Sequence, residues 1–249
     1  MRSETTSITT PDGVADAYLS RPDNGDHPGV LLFIDAIGLR PRIEEMADRI
    51  ASWGYVVLTP NLFYRTGKAA DLAPKTDLSV PENREAFFAD AMTRVKSLST
   101  EQAMSDAGAY LDALQAQPGV TGRAVGTTGY CMGGRLSFVT AATYPDKVVA
   151  AGGFHAGGLV TDGPDSPHLL ADKVSAELVF GHADNDRSMP AAAIEELEAA
   201  LDRAGVTYTS EVYAGAAHGY TMADTATYNE DATEKHFHVL EDLLKRRLG

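Results

Sequence analysis

Thr127-Thr128-Gly129-Tyr130-Cys131-Met132-Gly133-Gly134 decides how this chain is read. It has the form Gly-x-nucleophile-x-Gly. The β-rich run Ala124–Tyr130 precedes it and the helical pattern Met132–Tyr144 follows it, ending at Pro145. A strand–turn–helix elbow of this kind holds its central residue in a strained backbone conformation and lifts the side chain above the sheet edge. Gly129 and Gly133 remove the side chains that would collide in so tight a turn. The partial positive charge at the start of the next helix favours a thiolate or an oxyanion beside it. A lone cysteine is usually a small buried hydrophobe. The flanking glycines and the strand-to-helix context single out Cys131 as a nucleophile.

Outward from the elbow, short β-rich runs alternate with longer helical patterns. Gly29–Ile34 is a continuous apolar run, as expected of a strand buried on both faces. Ile43, Met46, Ala47, Ile50 and Trp53 recur at helical spacing over Pro41–Trp53, and Gly54 closes that helix. Tyr55–Thr59 is a strand stopped by Pro60. Glu101–Gln117 reads as a helix with Thr100 as its N-cap, ended by Pro118 and Gly119. Val148–Phe154, Glu177–Gly181 and Val206–Tyr213 are further strands. Pro190–Ala204 is a helix with proline in its first turn, and the tail from about Thr225 to Arg247 is helical. This alternation predicts an α/β chain with a mostly parallel central sheet and helices on both faces. No linker divides it, so residues 1–249 form one domain. The irregular stretch 61–99, with Gly67, Pro74, Pro81 and four aromatics, is expected to be a cap-like excursion; a plain surface excursion is the other reading.

The chain has 249 residues and a formal net charge of −14, from 21 Lys+Arg against 35 Asp+Glu. Such a surface repels phosphate backbones and anionic lipid, so no nucleic-acid or membrane partner is expected. With one cysteine there is no internal disulfide and no thiolate zinc cluster, and no His/Asp/Glu group has metal-ligand spacing, so no metal is expected. The N-terminus has no apolar core of leader length and no apolar run spans a bilayer, which predicts a cytoplasmic chain, monomeric or a small homo-oligomer.

A nucleophilic thiol needs a base, and the base an orienting acid. On a sheet of this kind the chain order is nucleophile, acid, His. The acid belongs after the strand Glu177–Gly181, where Asp184 and Asp186 compete. Asp186, four residues before Pro190, is preferred; the other reading of either aspartate is a cap for the next helix. His218, in the small-residue loop after the last strand, is the base. The oxyanion hole is expected from the backbone N–H groups of Ala36 and Met132. Asp35, next to Ala36, either acts on the thiol or caps the Pro41 helix region. His155 follows a strand and is placed to line the pocket; Tyr220, just past His218, is a further substrate-binding candidate. His236 and His238 are two apart on a helix and cannot share a face. His27, His168 and His182 read as loop residues.

At these residues the chain resembles the dienelactone hydrolase (carboxymethylenebutenolidase) family, on the α/β-hydrolase fold. The resemblance runs from about Asp12 to the C-terminal helix. It rests on Gly129–Gly134, on Asp186 before Pro190, on the Gly215–Gly219 loop around His218, and on the acid at Asp35. The resemblance implies cofactor-free hydrolysis of an enol lactone or ester through a thioester, with a small-molecule substrate. It also implies that Asp35 pairs with the resting thiol and is displaced by substrate. The family more often has Glu at that position. The type members carry an Arg shortly after the His that grips a substrate carboxylate; here Gly219-Tyr220-Thr221-Met222 holds none. Arg84, Arg94 or Arg65 of the excursion are the alternative anchors. A general carboxylesterase on the same scaffold is one rival reading, and a non-catalytic ligand-binding or thiol-sensing protein is another.

Overall fold

The computed structural model describes all 249 residues. Its centre is β3 (His27–Phe33), with Val30, Leu31, Leu32 and Phe33 no more than 1% exposed. Side chains on both sides of a strand can be buried only if both faces of the sheet are covered. Around it lies one eight-stranded sheet in the order β1-β2-β4-β3-β5-β6-β7-β8. The strands are β1 (Arg2–Thr10), β2 (Gly13–Arg21), β4 (Val56–Pro60), β5 (Val120–Tyr130), β6 (Val148–Phe154), β7 (Glu177–Ala183) and β8 (Tyr208–Tyr213). From β4 to β8 all neighbours pair in parallel; β1 and β2 form an antiparallel hairpin on the β4 edge.

Glycines on neighbouring strands show which helix covers which face. A Cβ on Gly29 would meet Leu114 of α4 (Thr100–Gln115), and one on Gly126 would meet Leu244 of α7 (Glu230–Leu248). Gly29 pairs with Val125 and Val30 with Gly126, so adjacent positions point to opposite faces. The helix α1 (Pro41–Ser52) joins α7, where Trp53 meets Phe237 edge-on at 5.9 Å and Arg49 bonds Glu234. On the α4 face lies α5 (Met132–Thr143), held by the Tyr144 hydroxyl donating to Met104 O at 2.7 Å. The expected mostly parallel sheet with helices on both faces is therefore the observed one.

Three expectations are corrected. The sequence pattern predicts no strand before Gly29, yet β1 and β2 are nine residues each. The segment β1 is Ser/Thr-rich and mostly exposed, so it carries no apolar alternation. The excursion 61–99 is not irregular: it holds the short α2 (Ala69–Leu72) and the 17-residue α3 (Pro81–Ser97). Only Ala91 and Arg94 of α3 are buried, so no apolar stripe marks it. The N-cap of α4 is Ser99, in a reciprocal capping box with Gln102, not Thr100. The remaining α-helix is α6 (Ala191–Ala204), a 3-10 helix spans Pro167–Lys173, and no helix is long and apolar enough to cross a membrane.

Candidate active site

The elbow has the predicted strain. Cys131 has φ 56° and ψ −120°, a left-handed backbone that non-glycine residues rarely adopt. The neighbouring glycines make it possible. A Cβ on Gly129 would lie 2.2 Å from the Gly133 carbonyl oxygen; one on Gly133 would lie 2.4 Å from the carbonyl oxygens of both Phe33 and Ile34. Helix α5 thus starts directly against the end of β3. Its first residue, Met132, has an amide with no intrahelical acceptor. Ala36, just past β3, also leaves its amide without a protein acceptor. Both residues line the cavity that holds Cys131.

That cavity measures about 480 Å³ and also receives His218, Asp186 and His155. His218 Nδ1 lies 2.6 Å from Asp186 Oδ2, whose side chain is only 7% exposed. Asp186 also accepts the Ser188 amide and hydroxyl at 2.8 and 2.7 Å. Burial opposes charge on Asp186, yet the bonds from His218 and Ser188 outweigh it and hold its pKa at about 2. Burial likewise opposes charge on His218. Its bond to Asp186 and the nearby Cys131 prevail and push its pKa up to about 10. The imidazole is therefore charged in the resting state, between a carboxylate and the thiol. Asp184 serves elsewhere: its Oδ2 accepts the Gly215 amide at 2.8 Å and its own amide donates to Ala216 O at 2.7 Å, bracing the loop that carries His218.

His155 forms the floor beside His218, ring centroids 5.2 Å apart, in a left-handed backbone with φ 39°. Its Nε2 is bonded to Thr221 Oγ1 at 2.8 Å, and Nδ1 is buried without a partner. Burial and the neighbouring His218 charge hold its pKa well below the ordinary value, so it stays neutral.

Other site candidates are redistributed. The Asp35 carboxylate, expected against the thiol, is taken by Arg40 (2.7 and 3.1 Å) and by the amides of Ile37 and Gly38 (3.0 and 3.2 Å). This short side chain, at the cavity edge, turns back on its own loop. Arg84 lines the cavity and stacks on Phe88. Arg94 does not line it: its guanidinium lies between Phe63 and Phe87 and donates to Leu72 O. Arg65 is spent on Asp12 and Asp106. Tyr220 is fully buried behind His155, its hydroxyl donating to Gly181 O at 3.0 Å. His182 is no loop residue but lies buried in β7, bonded to Ser210. His236 is buried and His238 exposed, in keeping with opposite faces.

Two cavity arginines escaped the sequence reading. Arg135 and Arg187 line the cavity with Arg84, and none of the three has a carboxylate partner. Arg135 Nε is buried with no hydrogen bond. Its position was detectable: four residues past Cys131 is one helical turn along the same face of α5. No group of three or more His, Cys, Asp or Glu side chains is arranged to hold a metal ion.

The sequence profile of the dienelactone hydrolase family matches residues 15–248. A protein of Methylorubrum extorquens provisionally named carboxymethylenebutenolidase is 29% identical over 248 residues, covering 96% of this chain and 79% of that protein. One of the same provisional name from Synechocystis is 26% identical over 255 residues, covering 98% of each. Among solved structures, a provisionally assigned dienelactone hydrolase of Klebsiella pneumoniae superposes with a TM-score of 0.84, 24% identity and 98% of both chains covered. The fold common to these chains is that of the α/β-hydrolases.

Proposed function

The chain belongs to the dienelactone hydrolase family and is a carboxylic ester hydrolase of that kind; from this premise we propose that it cleaves an anionic ester or enol lactone through a thioester on Cys131. The observation that carries the reading is the strained Cys131 at the start of α5 sharing one cavity with the His218–Asp186 pair. The Cys131 thiolate attacks the acyl carbon and a C–S bond forms. The amides of Ala36 and Met132 hold the oxyanion, each worth roughly 3 kcal/mol. The C–O bond to the leaving group then breaks, and His218 gives its proton to the departing oxygen.

Acylation removes the thiolate charge. The part of the His218 shift that comes from Cys131 goes with it, so the imidazole left neutral by the first step is less strongly driven to regain a proton than in the resting pair. It takes a proton from water, which attacks the thioester carbon; the thiolate leaves, the acid departs and His218 is charged again. Neutral His155 beneath it adds no competing cation.

The anionic substrate is inferred from Arg84, Arg135 and Arg187, three unpaired guanidiniums around one cavity of a strongly acidic protein. A general carboxylesterase for neutral esters would have no use for them. The decisive experiment compares steady-state hydrolysis of a dienelactone and a short-chain aryl ester by wild type and Cys131→Ala, with mass spectrometry for the acyl adduct. Turnover lost in Cys131→Ala and a trapped thioester on Cys131 are expected. An Ala variant that keeps its rate would refute the thiol mechanism.

A further inference from the structure

We propose that Arg40 is a positioning residue, a single buried guanidinium that sets the oxyanion loop in register with the loop carrying His218. The inference rests on the thiol-hydrolase reading for its catalytic part only. Arg40 is 3% exposed and stands at the N-cap of α1, where its side chain plays no capping part. Its donors are all engaged. Nη1 donates to Asp35 Oδ1 at 2.7 Å and to Gly38 O at 3.0 Å, and Nη2 to Asp35 Oδ2 at 3.1 Å. These bonds surround Ala36. On the other side Nε donates to Asp224 Oδ2 at 2.5 Å, and Nη2 reaches Asp224 Oδ1 and the Met222 sulfur at 3.2 Å each.

Asp224 lies six residues past His218 in the loop between β8 and α7. One planar cation therefore binds two carboxylates, one on each catalytic loop. Its fixed fork of N–H groups defines their relative distance and angle, which a lysine could not do. Without it, the two carboxylates would face each other unscreened and drive the loops apart. Burying an arginine is an expensive way to gain stability, so positional fidelity is the better account of it. A second tie on the same helix, Arg42 Nε and Nη2 donating to Thr221 O at 3.1 and 2.8 Å, keeps the base loop attached if Asp224 is lost. Loss of Asp224 should therefore misalign the site rather than unfold the protein. Asp224 and Arg40 also line an open surface cavity of about 500 Å³, where a substituted side chain can be solvated.

The test uses Asp224→Ala, with Asp224→Asn as the conservative variant and as the substitute if the first fails to fold. Each is measured twice, by steady-state kinetics and by backbone hydrogen exchange resolved to residues 35–40 and 214–224. Asp224→Ala is expected to lower kcat about tenfold or more with KM within about threefold, and Asp224→Asn to recover part of the loss. Exchange should rise in both loops together. A wild-type kcat in Asp224→Ala, or faster exchange confined to 214–224, would overturn the proposal. If the wild type turned over no ester at all, the thiol-hydrolase reading would fail by itself, and the exchange measurement would still decide whether Arg40 couples the loops.

Discussion

Adding one methyl at Gly133 should cost both stability and rate, by amounts that follow from where α5 begins. The new Cβ would stand 2.4 Å from the carbonyl oxygens of Phe33 and Ile34. Ordinary contact begins near 3.4 Å, so α5 and the end of β3 must part by about 1 Å. Both partners are backbone, so no rotamer change relieves the overlap. Overpacking of this kind costs about 1–3 kcal/mol. The separation falls between Met132 on α5 and Ala36 beyond β3, the two proposed oxyanion donors. A donor displaced by about 1 Å loses most of a contribution of roughly 3 kcal/mol, so kcat should fall about 100-fold. Urea unfolding and aryl-ester kinetics on Gly133→Ala measure the two effects. Gly205→Ala is the control: its φ is +68° and a Cβ there meets nothing within 4 Å, so it carries backbone strain without collision and should leave kcat unchanged. A Gly133→Ala protein with wild-type midpoint and kcat would refute the argument.

The charged His218 makes a pH prediction. Its proton NMR titration should centre near pH 10 in the wild type and lower in Asp186→Asn; a wild-type midpoint near 6.5 would contradict the ion pair. The raised His218 value contributes stability in full below about pH 6.5, lost as pH rises through about 10; the depressed Asp186 value contributes above about 3.8, lost as pH falls through about 2. Asp186→Asn should accordingly lower the urea midpoint most between about pH 4 and 6.5, and an equal loss at pH 11 would count against the assignment. Arg135→Gln should reduce kcat/KM for a carboxylate-bearing ester about 10- to 100-fold, the value of a charge-assisted bond, and leave a neutral ester of the same size untouched. Equal loss on both would show that Arg135 only supports packing. Tyr130→Phe should destabilise by about 1–3 kcal/mol, since it strips His236 Nε2 of its buried partner at 3.1 Å. Unchanged thermal unfolding would argue against that bond.

What was readable in the sequence was whatever local chemistry dictates. The elbow could be read because only glycine fits at positions 129 and 133. The central strand could be read because burial on both faces leaves a continuous apolar run over 30–34. His218 and Asp186 followed from their places after β8 and β7. Interactions set by distant partners were hidden. The direction of Asp35 depends on Arg40, which itself answers to Asp224, 184 residues further on. Arg94 reads as an anchor in sequence because its aromatic neighbours Phe63 and Phe87 come together only when the 61–99 excursion folds. Helix α3 went unseen because it buries one alanine and one arginine in place of an apolar stripe. Strand β1 carries little signal because it is an exposed Ser/Thr-rich edge, and β2 because the residues it buries are mostly small, Ala15, Ala17 and Ser20 beside Leu19.

The span of the Arg40 link has a consequence for the order of events during synthesis. Arg40 and Asp224 are 184 residues apart, so the first partner leaves the ribosome long before the second. A domain is made at about 5–20 residues per second, so Cys131 is exposed for several seconds before His218 exists. During that interval the cysteine has no base, no acid and no fixed oxyanion amides. An emerging chain therefore carries an unassisted thiol, and the proposed nucleophile is assembled only when the loops carrying Asp35 and His218 meet. Appearance of esterase activity would then mark the final docking step of folding, later than burial of the central strands, in a sheet whose contacts are mostly long in sequence and so slow to form.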